Sequence, residues 1–351
     1  MQYTRLGNSG LIVSRLALGV MTFGSGAGSE TGVWKTGQRD ADAIIGRALD
    51  AGINFFDTAD MYASGQSEIM MAKALGQRRK DVVISTKVGF RSGDAVTQSG
   101  ASFGYLISAV EASLRRLNTE YVDLLSLHKI DRVTPMEETA RALENLVQRG
   151  LVRYVGYSNF SAWQSAKFLG IQQQHDYSPF VAAQMYYSLV GRDIEHEIVP
   201  FCTDAGVGIV AWSPLAGGFL SGRYTRKDPT GVKGRLATFD FIPFDKEKGY
   251  DLVDQLKKIA EQHGSSVAQV ALAWMLSKPF VTSILLGASK LSQLEDNLGA
   301  LNVSLPQAEL EIIEKLTLPA PIYPAWFQTA TADPVTTQAL AQGITDKAKA
   351  A

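Results

Sequence analysis

Residues 53–58, INFFDT, form a short apolar run that ends in a carboxylate at Asp57. The two phenylalanines before Asp57 are typical of a buried β-strand, and a buried carboxylate is costly unless a cation or a donor group meets it. The following residues 59–68, ADMYASGQSE, pass through Tyr62 into a helix-like stretch. This region therefore predicts a strand, a loop and a helix, and it requires a partner for Asp57 elsewhere in the chain.

The same alternation of short apolar runs and longer amphipathic stretches extends along the chain. The apolar runs are nearly continuous, as in parallel strands that helices cover on their faces. Eight strand–helix units predict a closed (β/α)8 barrel of the TIM type. The predicted strands span residues 15–20, 53–58, 81–87, 121–128, 152–158, 180–184, 206–213 and 281–287, and the predicted helices span 39–52, 67–76, 105–118, 136–150, 161–175, 192–205 and 246–264, with another beginning at 290.

An open, doubly wound parallel sheet is the alternative architecture. Such a sheet usually carries the glycine pattern G-x-G-x-x-G after its first strand. Gly24, Gly26 and Gly28 follow the first strand here, but position 29 is serine and no clear helix begins there. The sequence therefore favours the barrel.

Three segments lie outside a minimal barrel. Residues 2–13 contain turn residues and predict an N-terminal β-hairpin, and residues 214–247 form a loop of the length that lids and binding loops have. Residues 318–351 form a C-terminal tail rich in proline, alanine and threonine. No linker marks a second domain, so we expect one domain over residues 1–351, with its core at 15–317.

The composition excludes several classes of function. The chain is 46% hydrophobic and 20% charged, which is ordinary for a globular protein, and its formal net charge of -1 gives no long-range attraction for nucleic acid or anionic membranes. The one cysteine, Cys202, cannot form an internal disulfide, and the four histidines lack metal-site spacing. Without a membrane-length apolar run or a signal-peptide pattern, we expect a cytoplasmic protein with no metal, nucleic-acid or membrane partner.

Four polar residues fall at the C-terminal ends of consecutive predicted strands. Asp57 ends the second strand, and Tyr62 lies in the loop after it. Lys87 ends the third strand and His128 the fourth. These strand ends share one face of a barrel, where active sites lie, so Lys87 is the predicted partner of Asp57. A purely structural ion pair is the alternative, but Tyr62 and His128 at the same face favour catalysis.

The chemistry expected of these residues is proton donation. A tyrosine hydroxyl has a pKa of ~10 and is a poor acid at neutral pH. A nearby ammonium stabilises the phenolate, so Lys87, held by Asp57 through a charge-assisted hydrogen bond, is expected to lower the Tyr62 pKa. His128 is expected to donate to the same substrate oxygen. The predicted site is a general acid beside a small oxyanion-type pocket.

Together, these motifs resemble the aldo-keto reductase family from about residue 3 to about residue 317. The greatest similarity is to the subgroup that contains potassium-channel β-subunits and related bacterial reductases. The resemblance rests on GINFFDTADMYASGQSE (52–68), VVISTKVG (82–89), YVDLLSLHKID (121–131), VGYSNF (155–160), AAQMYYSLV (182–190), IVAWSPLAGGFLSGRY (209–224) and ILLGASKLSQLEDNLGA (284–300).

The resemblance implies hydride transfer from a nicotinamide cofactor to an aldehyde or ketone, without a metal. Tyr62 would give a proton to the carbonyl oxygen, Lys87 and Asp57 would tune it, and His128 would orient the carbonyl. The cofactor expected is NADPH/NADP+, because Ser289 and Lys290 correspond to positions that meet the adenosine 2'-phosphate in the family.

The resemblance also implies which residues bind the cofactor. Ser158, Asn159 and Gln184 would bond the carboxamide, and Trp212 would stack on the nicotinamide ring. The remaining expected contacts involve the pyrophosphate, the adenine or nearby backbone and comprise Val20, Met21, Ser213, Leu215, Gly217, Arg223, Gly287, Gln293, Asp296 and Asn297.

The expected substrate pocket has apolar and aromatic walls, which suit a bulky or hydrophobic carbonyl compound. The loops after the strands and the tail supply the candidates Met21, Trp34, Phe90 and Trp326. The alternative function is a redox-sensing interaction subunit of the channel β-subunit type with little turnover. His128 favours the enzyme, because some channel β-subunits have another residue there. We expect a monomer or a homo-oligomer.

Overall fold

The computed structural model describes residues 1–24, 33, 35–231, 234–237, 239–336 and 338–339. Within these ranges, eight parallel strands close into a barrel in chain order, and the last strand pairs with the first. The prediction of a (β/α)8 barrel is confirmed, and the open-sheet alternative is wrong. The barrel strands are β3 (Leu16–Gly19), β4 (Phe55–Asp57), β5 (Val83–Val88), β6 (Val122–Leu127), β7 (Val152–Ser158), β8 (Phe180–Tyr186), β9 (Gly208–Trp212) and β10 (Val281–Gly287).

The helices that surround the barrel present apolar residues to it. In the helix Phe103–Leu117, for example, the buried residues Leu106, Val110 and Leu114 recur at helical spacing. Gly52 and Gly150 adopt left-handed φ angles of 84° and 72° where the chain leaves a helix, so the predicted glycine stops lie at real turns. The helices are α1 (Gln38–Asp50), α2 (Gln66–Leu75), α3 (Phe103–Leu117), α4 (Met136–Gln148), α5 (Ala162–Gln174), α6 (Ile194–Ala205), α7 (Lys246–Gln262), α8 (Val267–Leu276), α9 (Leu291–Leu298), α10 (Gln307–Thr317) and α11 (Ala325–Ala330).

The predicted N-terminal hairpin consists of the antiparallel strands β1 (Tyr3–Arg5) and β2 (Ile12–Ser14). Leu6 and Val13 of this hairpin are fully buried in a cluster with the barrel-strand residues Phe55 and Val210. The backbone N–H of Asn8 also donates to the Gly206 carbonyl oxygen at 2.7 Å, just before β9. The hairpin therefore packs against the interior of the barrel at the end opposite to the predicted active site.

The strand register brings the predicted catalytic positions to one rim. Asp57 lies opposite Ser85 on β5, and Lys87 lies opposite Ser126 on β6. Ser158 is paired with Gln184, and Gly287 is paired with Gly19. Because parallel strands end on the same side of a barrel, these residues line one opening.

Two helices of the structure were not predicted from the sequence. The sequence did not indicate α8, because nearly every side chain from Ala268 to Met275 is buried and the helix lacks an amphipathic period. It also did not indicate α10, whose one fully buried side chain is Ile313. The loop after β9 contains short 3-10 turns at Ala216–Ser221 and Arg235–Ala237.

By compactness the chain divides into Met1–Thr317 and Leu318–Ala351. The first unit holds the hairpin and the barrel. The described part of the second unit contains α11, on which Trp326 and Phe327 are each about half exposed. The expectation of one domain over residues 1–351 remains a prediction.

Candidate active site

A cavity of about 590 Å³ lies at the C-terminal rim of the barrel. It is lined by residues from the strand ends and from the loops that follow them, as the barrel prediction requires. Predicted site residues that line it are Met21, Asp57, Tyr62, Phe90, His128, Ser158, Asn159, Gln184, Trp212, Ser213 and Gly287.

Lys87 lies beneath this cavity and is fully buried. Its ammonium donates to Asp57 Oδ2 at 2.5 Å and to the Thr58 carbonyl oxygen at 2.7 Å. The other oxygen of Asp57 accepts from Gln184 Nε2 at 2.9 Å. The buried carboxylate that the sequence placed at the end of β4 therefore has both a cation and an amide donor as partners.

Tyr62 completes this chain of contacts. Its hydroxyl lies 3.4 Å from Lys87 Nζ, and the ammonium is 4.9 Å from the centre of the phenol ring. Tyr62 begins a tight turn, Tyr62–Gly65, in which Ala63 and Ser64 have positive φ angles of 49° and 52°. Such angles are uncommon for residues other than glycine, and strained backbone of this kind is frequent at functional sites.

The net direction of the Tyr62 pKa differs from the prediction. Burial raises the pKa of Tyr62 above its ordinary value of 10, and the lowering by Lys87 does not compensate for it. For Lys87, burial opposes the positive charge, but Asp57 and Tyr62 outweigh this effect and raise its pKa. In this state the phenol is protonated and the lysine is charged at neutral pH, which suits proton donation.

His128 faces the same cavity from the end of β6. Its ring packs edge-on against Tyr62 and Phe90, with centroid distances of 5.7 and 4.6 Å. Burial, with the positive charges of Lys87 and Lys129, holds the pKa of His128 well below its usual 6.5, so the imidazole is neutral. Its Nδ1 has no hydrogen-bond partner among the residues that the structure describes.

The residues predicted for the nicotinamide lie together near the C-terminal ends of β7, β8 and β9. Asn159 Nδ2 donates to the His128 carbonyl oxygen at 3.0 Å and to Ser158 Oγ at 2.9 Å. Asn159 Oδ1 accepts from Trp212 Nε1 at 3.1 Å. Ser158 Oγ donates to the Gln184 carbonyl oxygen at 2.7 Å. This network connects β7, β8 and β9 at the cavity rim and holds the indole of Trp212 in a defined orientation.

A second cavity of about 430 Å³ adjoins the first. Both are lined by Ser213, Arg235 and Gly287, so they form one extended cleft. The predicted cofactor residues that line the second cavity are Ser213, Leu215, Gly217, Arg223, Gly287, Ser289, Gln293, Asp296 and Asn297.

The cleft fits an elongated anionic ligand such as a dinucleotide. A Cβ atom added at Gly287 would meet no atom within 4 Å, so the glycine leaves this wall open to a ligand. Gly217 and Gly218 also line the second cavity and have positive φ angles of 69° and 97°, which glycine adopts without strain. Arg223 and Arg235 add positive charge along its length.

Two predicted cofactor residues, Val20 and Lys290, line neither cavity. Val20 is fully buried in the hydrophobic core, so its side chain does not contact a ligand there. Lys290 is exposed at the start of α9. Trp326 belongs to the C-terminal unit, and its part in the substrate pocket remains a prediction. Trp34 lies outside the described residues.

Several cleft residues were not predicted from the sequence. Arg235, in the loop after β9, lines both cavities, and Lys35 and Thr22 line the second. Met61, Phe239 and Phe241 line the first, and the Phe241 ring is parallel to Trp212 at a centroid distance of 6.1 Å. The length of the 214–247 loop indicated a lid or a binding loop, but no local pattern identified which of its side chains faces the site.

Within the described ranges, no cluster of histidine, cysteine, aspartate or glutamate side chains has the arrangement of a metal site. The described helices are also each too short or too polar to cross a membrane.

Comparison with known proteins identifies a family and relatives that match nearly the whole chain. The sequence model of the "Aldo/keto reductase family" matches residues 15–317. The "Versiconal hemiacetal acetate reductase" of Aspergillus parasiticus is 34% identical over 92% of this chain and 99% of its own length. A "Probable voltage-gated potassium channel subunit beta" of Oryza sativa subsp. japonica is 36% identical over 90% and 95%. The "Uncharacterized oxidoreductase YrpG" of Bacillus subtilis (strain 168) is 36% identical over 90% and 96%. The chain therefore belongs to the aldo/keto reductase family and is an oxidoreductase that acts on carbonyl groups with a nicotinamide cofactor.

Proposed function

We propose that this protein reduces an aldehyde or ketone to an alcohol with NADPH and that Tyr62 is the general acid. The observation that supports this proposal is the chain of contacts from the buried Asp57 and Lys87 to Tyr62, with distances of 2.5 and 3.4 Å, at the rim of the main cavity. A structural ion pair alone does not require a tyrosine hydroxyl beside the ammonium, facing a cavity.

The roles of the four residues follow from their surroundings. The bound nicotinamide supplies the hydride. Tyr62 gives its proton to the carbonyl oxygen, and Lys87 stabilises the phenolate that remains, since the ammonium is fixed next to it by Asp57. His128 is neutral and therefore offers one N–H to the same oxygen, which orients the carbonyl and stabilises its developing charge.

The cofactor is proposed to lie along the extended cleft. Ser158, Asn159 and Gln184 would hold the carboxamide, and Trp212 would stack on the ring. The phosphates would lie near Ser213, Leu215 and Gly217, with Arg223 and Arg235 as cations.

NADPH rather than NADH is proposed because of the residues near the start of α9. Ser289 lines the second cavity, and the exposed Lys290 follows it directly. The exposed Lys35 adds a further cation to the same cavity. Cations at this end of the cleft suit a 2'-phosphate, while Gln293, Asp296 and Asn297 would meet the adenine.

The substrate is proposed to be a bulky, hydrophobic carbonyl compound. The first cavity has the apolar or aromatic side chains Met21, Met61, Phe90, Phe239 and Phe241 on its walls. NADPH consumption over a panel of aldehydes, sugars, quinones and cyclic ketones tests this class, and a preference for free sugars would contradict it.

The replacement Tyr62→Phe tests the central role. We expect turnover to fall by roughly 10²–10⁴, the scale of losing a general acid, while NADPH still quenches the protein fluorescence. The replacement keeps the ring and removes only the hydroxyl. Turnover close to that of the native protein would refute the assignment of Tyr62.

A redox-sensing interaction subunit is the second candidate, because relatives named as potassium channel subunits match 90% of this chain. In that case the bound cofactor would report redox state to a partner. Stoichiometric capture of a membrane partner, with negligible turnover over the whole carbonyl panel, would favour this candidate. The presence of His128 beside Tyr62 favours the reductase.

A further inference from the structure

Glu68 is a fully buried carboxylate that the proposed chemistry does not use. It lies in the first turn of α2, three residues after the turn Tyr62–Gly65 ends. Its two oxygens have different partners: Oε1 accepts from the Thr86 hydroxyl at 2.6 Å, and Oε2 accepts from Arg116 Nε at 2.6 Å. Thr86 directly precedes Lys87 on β5, and Arg116 lies on α3. One carboxylate therefore joins the helix after the Tyr62 turn to the strand that carries Lys87.

Arg116 also packs directly against the turn itself. A Cβ atom added at Gly65 would lie 2.5 Å from Arg116 Cδ and 2.7 Å from its Nε, so the arginine side chain covers the glycine backbone. The Gly65 φ angle of 88° is one that glycine adopts without strain. Arg116 Nη2 donates to Ser113 Oγ at 3.0 Å, which orients the guanidinium on its own helix.

The turn that these residues hold has a strained backbone. Ala63 and Ser64 lie in the left-handed region, which non-glycine residues occupy only when surrounding contacts impose it. On the other side, the Ser67 hydroxyl donates to the Val20 carbonyl oxygen at 2.8 Å. Contacts on both sides of the turn therefore restrict its movement.

We propose that Glu68 and Arg116 are positioning residues that hold the Tyr62 hydroxyl at hydrogen-bonding distance from Lys87. This proposal rests on the proposed role of Tyr62 as the general acid. Neither residue lines the main cavity, so both act through the turn rather than on the substrate. Proton transfer depends on the distance between the groups, and a misplacement of about 1 Å is enough to lower turnover about 100-fold.

The test compares Arg116→Met and Glu68→Gln with a matched control. The control is Arg79→Met. It removes a partly buried 2.9 Å ion pair between Arg79, which precedes β5, and Asp123 near the start of β6, away from the cavity rim. The measurements are kcat and KM for 4-nitrobenzaldehyde, the Kd of NADPH by fluorescence quenching and the melting temperature. A 19F NMR spectrum of protein labelled with fluorotyrosine reports on Tyr62 directly, and Tyr62→Phe identifies its resonance.

For the two test variants we expect kcat to fall about 10-fold or more, with an NADPH Kd within about three-fold of native and a shifted or broadened Tyr62 resonance. Arg79→Met, with a comparable loss of melting temperature, keeps its kcat within about two-fold and its Tyr62 resonance in place. An unchanged Tyr62 resonance in Arg116→Met, or a kcat like that of the control, would overturn the proposal.

One further variant and the comparison with Tyr62→Phe keep the test decisive. If Arg116→Met does not fold, Arg116→Lys retains the charge but loses the flat contact with Gly65, and the same readouts apply. If native protein and Tyr62→Phe reduce the probe equally, the proposed function fails, and the Tyr62 resonance alone decides whether Glu68 and Arg116 position this ring.

Discussion

The ammonium of Lys87 lies 2.5 Å from Asp57 Oδ2 at the barrel rim, and both side chains are almost completely inaccessible to solvent. A buried pair of this kind has little net effect on stability while both partners are present, but removing one leaves a buried charge without compensation. The same contact fixes the position of Lys87 beside Tyr62. Asp57 and Lys87 therefore contribute both to the stability of the folded protein and to the proposed chemistry.

Replacing Asp57 with asparagine should reduce both stability and turnover. We expect the free energy of unfolding at pH 7 to fall by about 3–5 kcal/mol, because Lys87 loses its counter-charge in the interior. Since the Lys87 pKa is raised in the folded protein, the stabilisation linked to the positive charge of Lys87 is fully present below its unfolded-state pKa of about 10, and it is lost as the pH rises through the higher folded-state pKa. Denaturant unfolding of Asp57→Asn, with a loss below about 1 kcal/mol, would contradict this interpretation.

His128 should make the protein less stable in acid. Its folded-state pKa lies well below 6.5, so the unfolded chain binds an additional proton as the pH falls below that value. We expect the contribution of His128 to the unfolding free energy to decline by up to ~1.4 kcal/mol per pH unit below pH 6.5. Thermal unfolding between pH 7.5 and 5 should show a smaller decline in His128→Gln than in native protein. His175→Gln, which changes an exposed ring, serves as the control, and an equal effect of both variants would refute the prediction.

Asp60 should have the opposite pH dependence. It is buried near Glu68, and burial, followed by the negative charge of Glu68, raises its pKa to about 7. The folded state therefore favours the protonated acid, and stability is lost as the pH rises toward and through 7. The pKa difference from an exposed aspartate corresponds to at most ~4 kcal/mol.

We therefore expect Asp60→Asn to be more stable than native protein at pH 8, by roughly 1–4 kcal/mol, because it removes a buried charge without changing the size of the side chain. The gain should shrink as the pH falls below 7 and vanish near pH 4. Chemical denaturation at several pH values measures it. A gain that is independent of pH would show that the charge on Asp60 is not its cause.

Arg235 should contribute to cofactor affinity. It lies in the loop after β9 and lines both parts of the cleft, where the phosphates of a dinucleotide are proposed to bind. We expect Arg235→Ala to raise the Kd of NADPH by about 10-fold or more, since a charge-assisted phosphate contact contributes roughly 1.5–3 kcal/mol. Arg226 belongs to the same loop but pairs with Glu247 and Asp251 on α7, so Arg226→Ala is the matched control. Equal effects of the two replacements on fluorescence quenching would contradict a specific role for Arg235.

The barrel was predictable because its pattern is local. Each predicted strand is an apolar run of five to eight residues, and each glycine stop lies next to its helix, so neither feature depends on distant contacts. The position of α8 was missed for a related reason: a helix buried on nearly all sides has no amphipathic period to detect. The proximity of Asp57, Tyr62, Lys87 and His128 was also predictable, because consecutive parallel strands necessarily end at the same rim.

The other features depend on packing between distant segments. The contact of Glu68 with Arg116 joins residues 48 positions apart, and that of Arg235 with the cleft depends on the course of a long loop. The side chain of Val20, a predicted cofactor residue, is packed in the hydrophobic core, which its position in the sequence did not indicate. The Tyr62 pKa was predicted to be lowered, but burial raises it. The sequence does not indicate how deeply the hydroxyl is buried.

The amino-acid sequence by itself determined the order of strands and helices, the closure of the barrel and the face on which Asp57, Tyr62, Lys87 and His128 meet. These properties follow from hydrophobic periodicity, which is a pattern among residues close in the chain, and from the parallel direction of the strands, which the alternation of strands and helices predicts. Only the tertiary structure decided which charges are buried, which side chains of the long loop reach the cleft and how Glu68 and Arg116 restrict the turn of Tyr62. Burial and side-chain distance arise when segments far apart in the chain pack together, so the balance of desolvation and charge at Tyr62 exists only in the folded molecule.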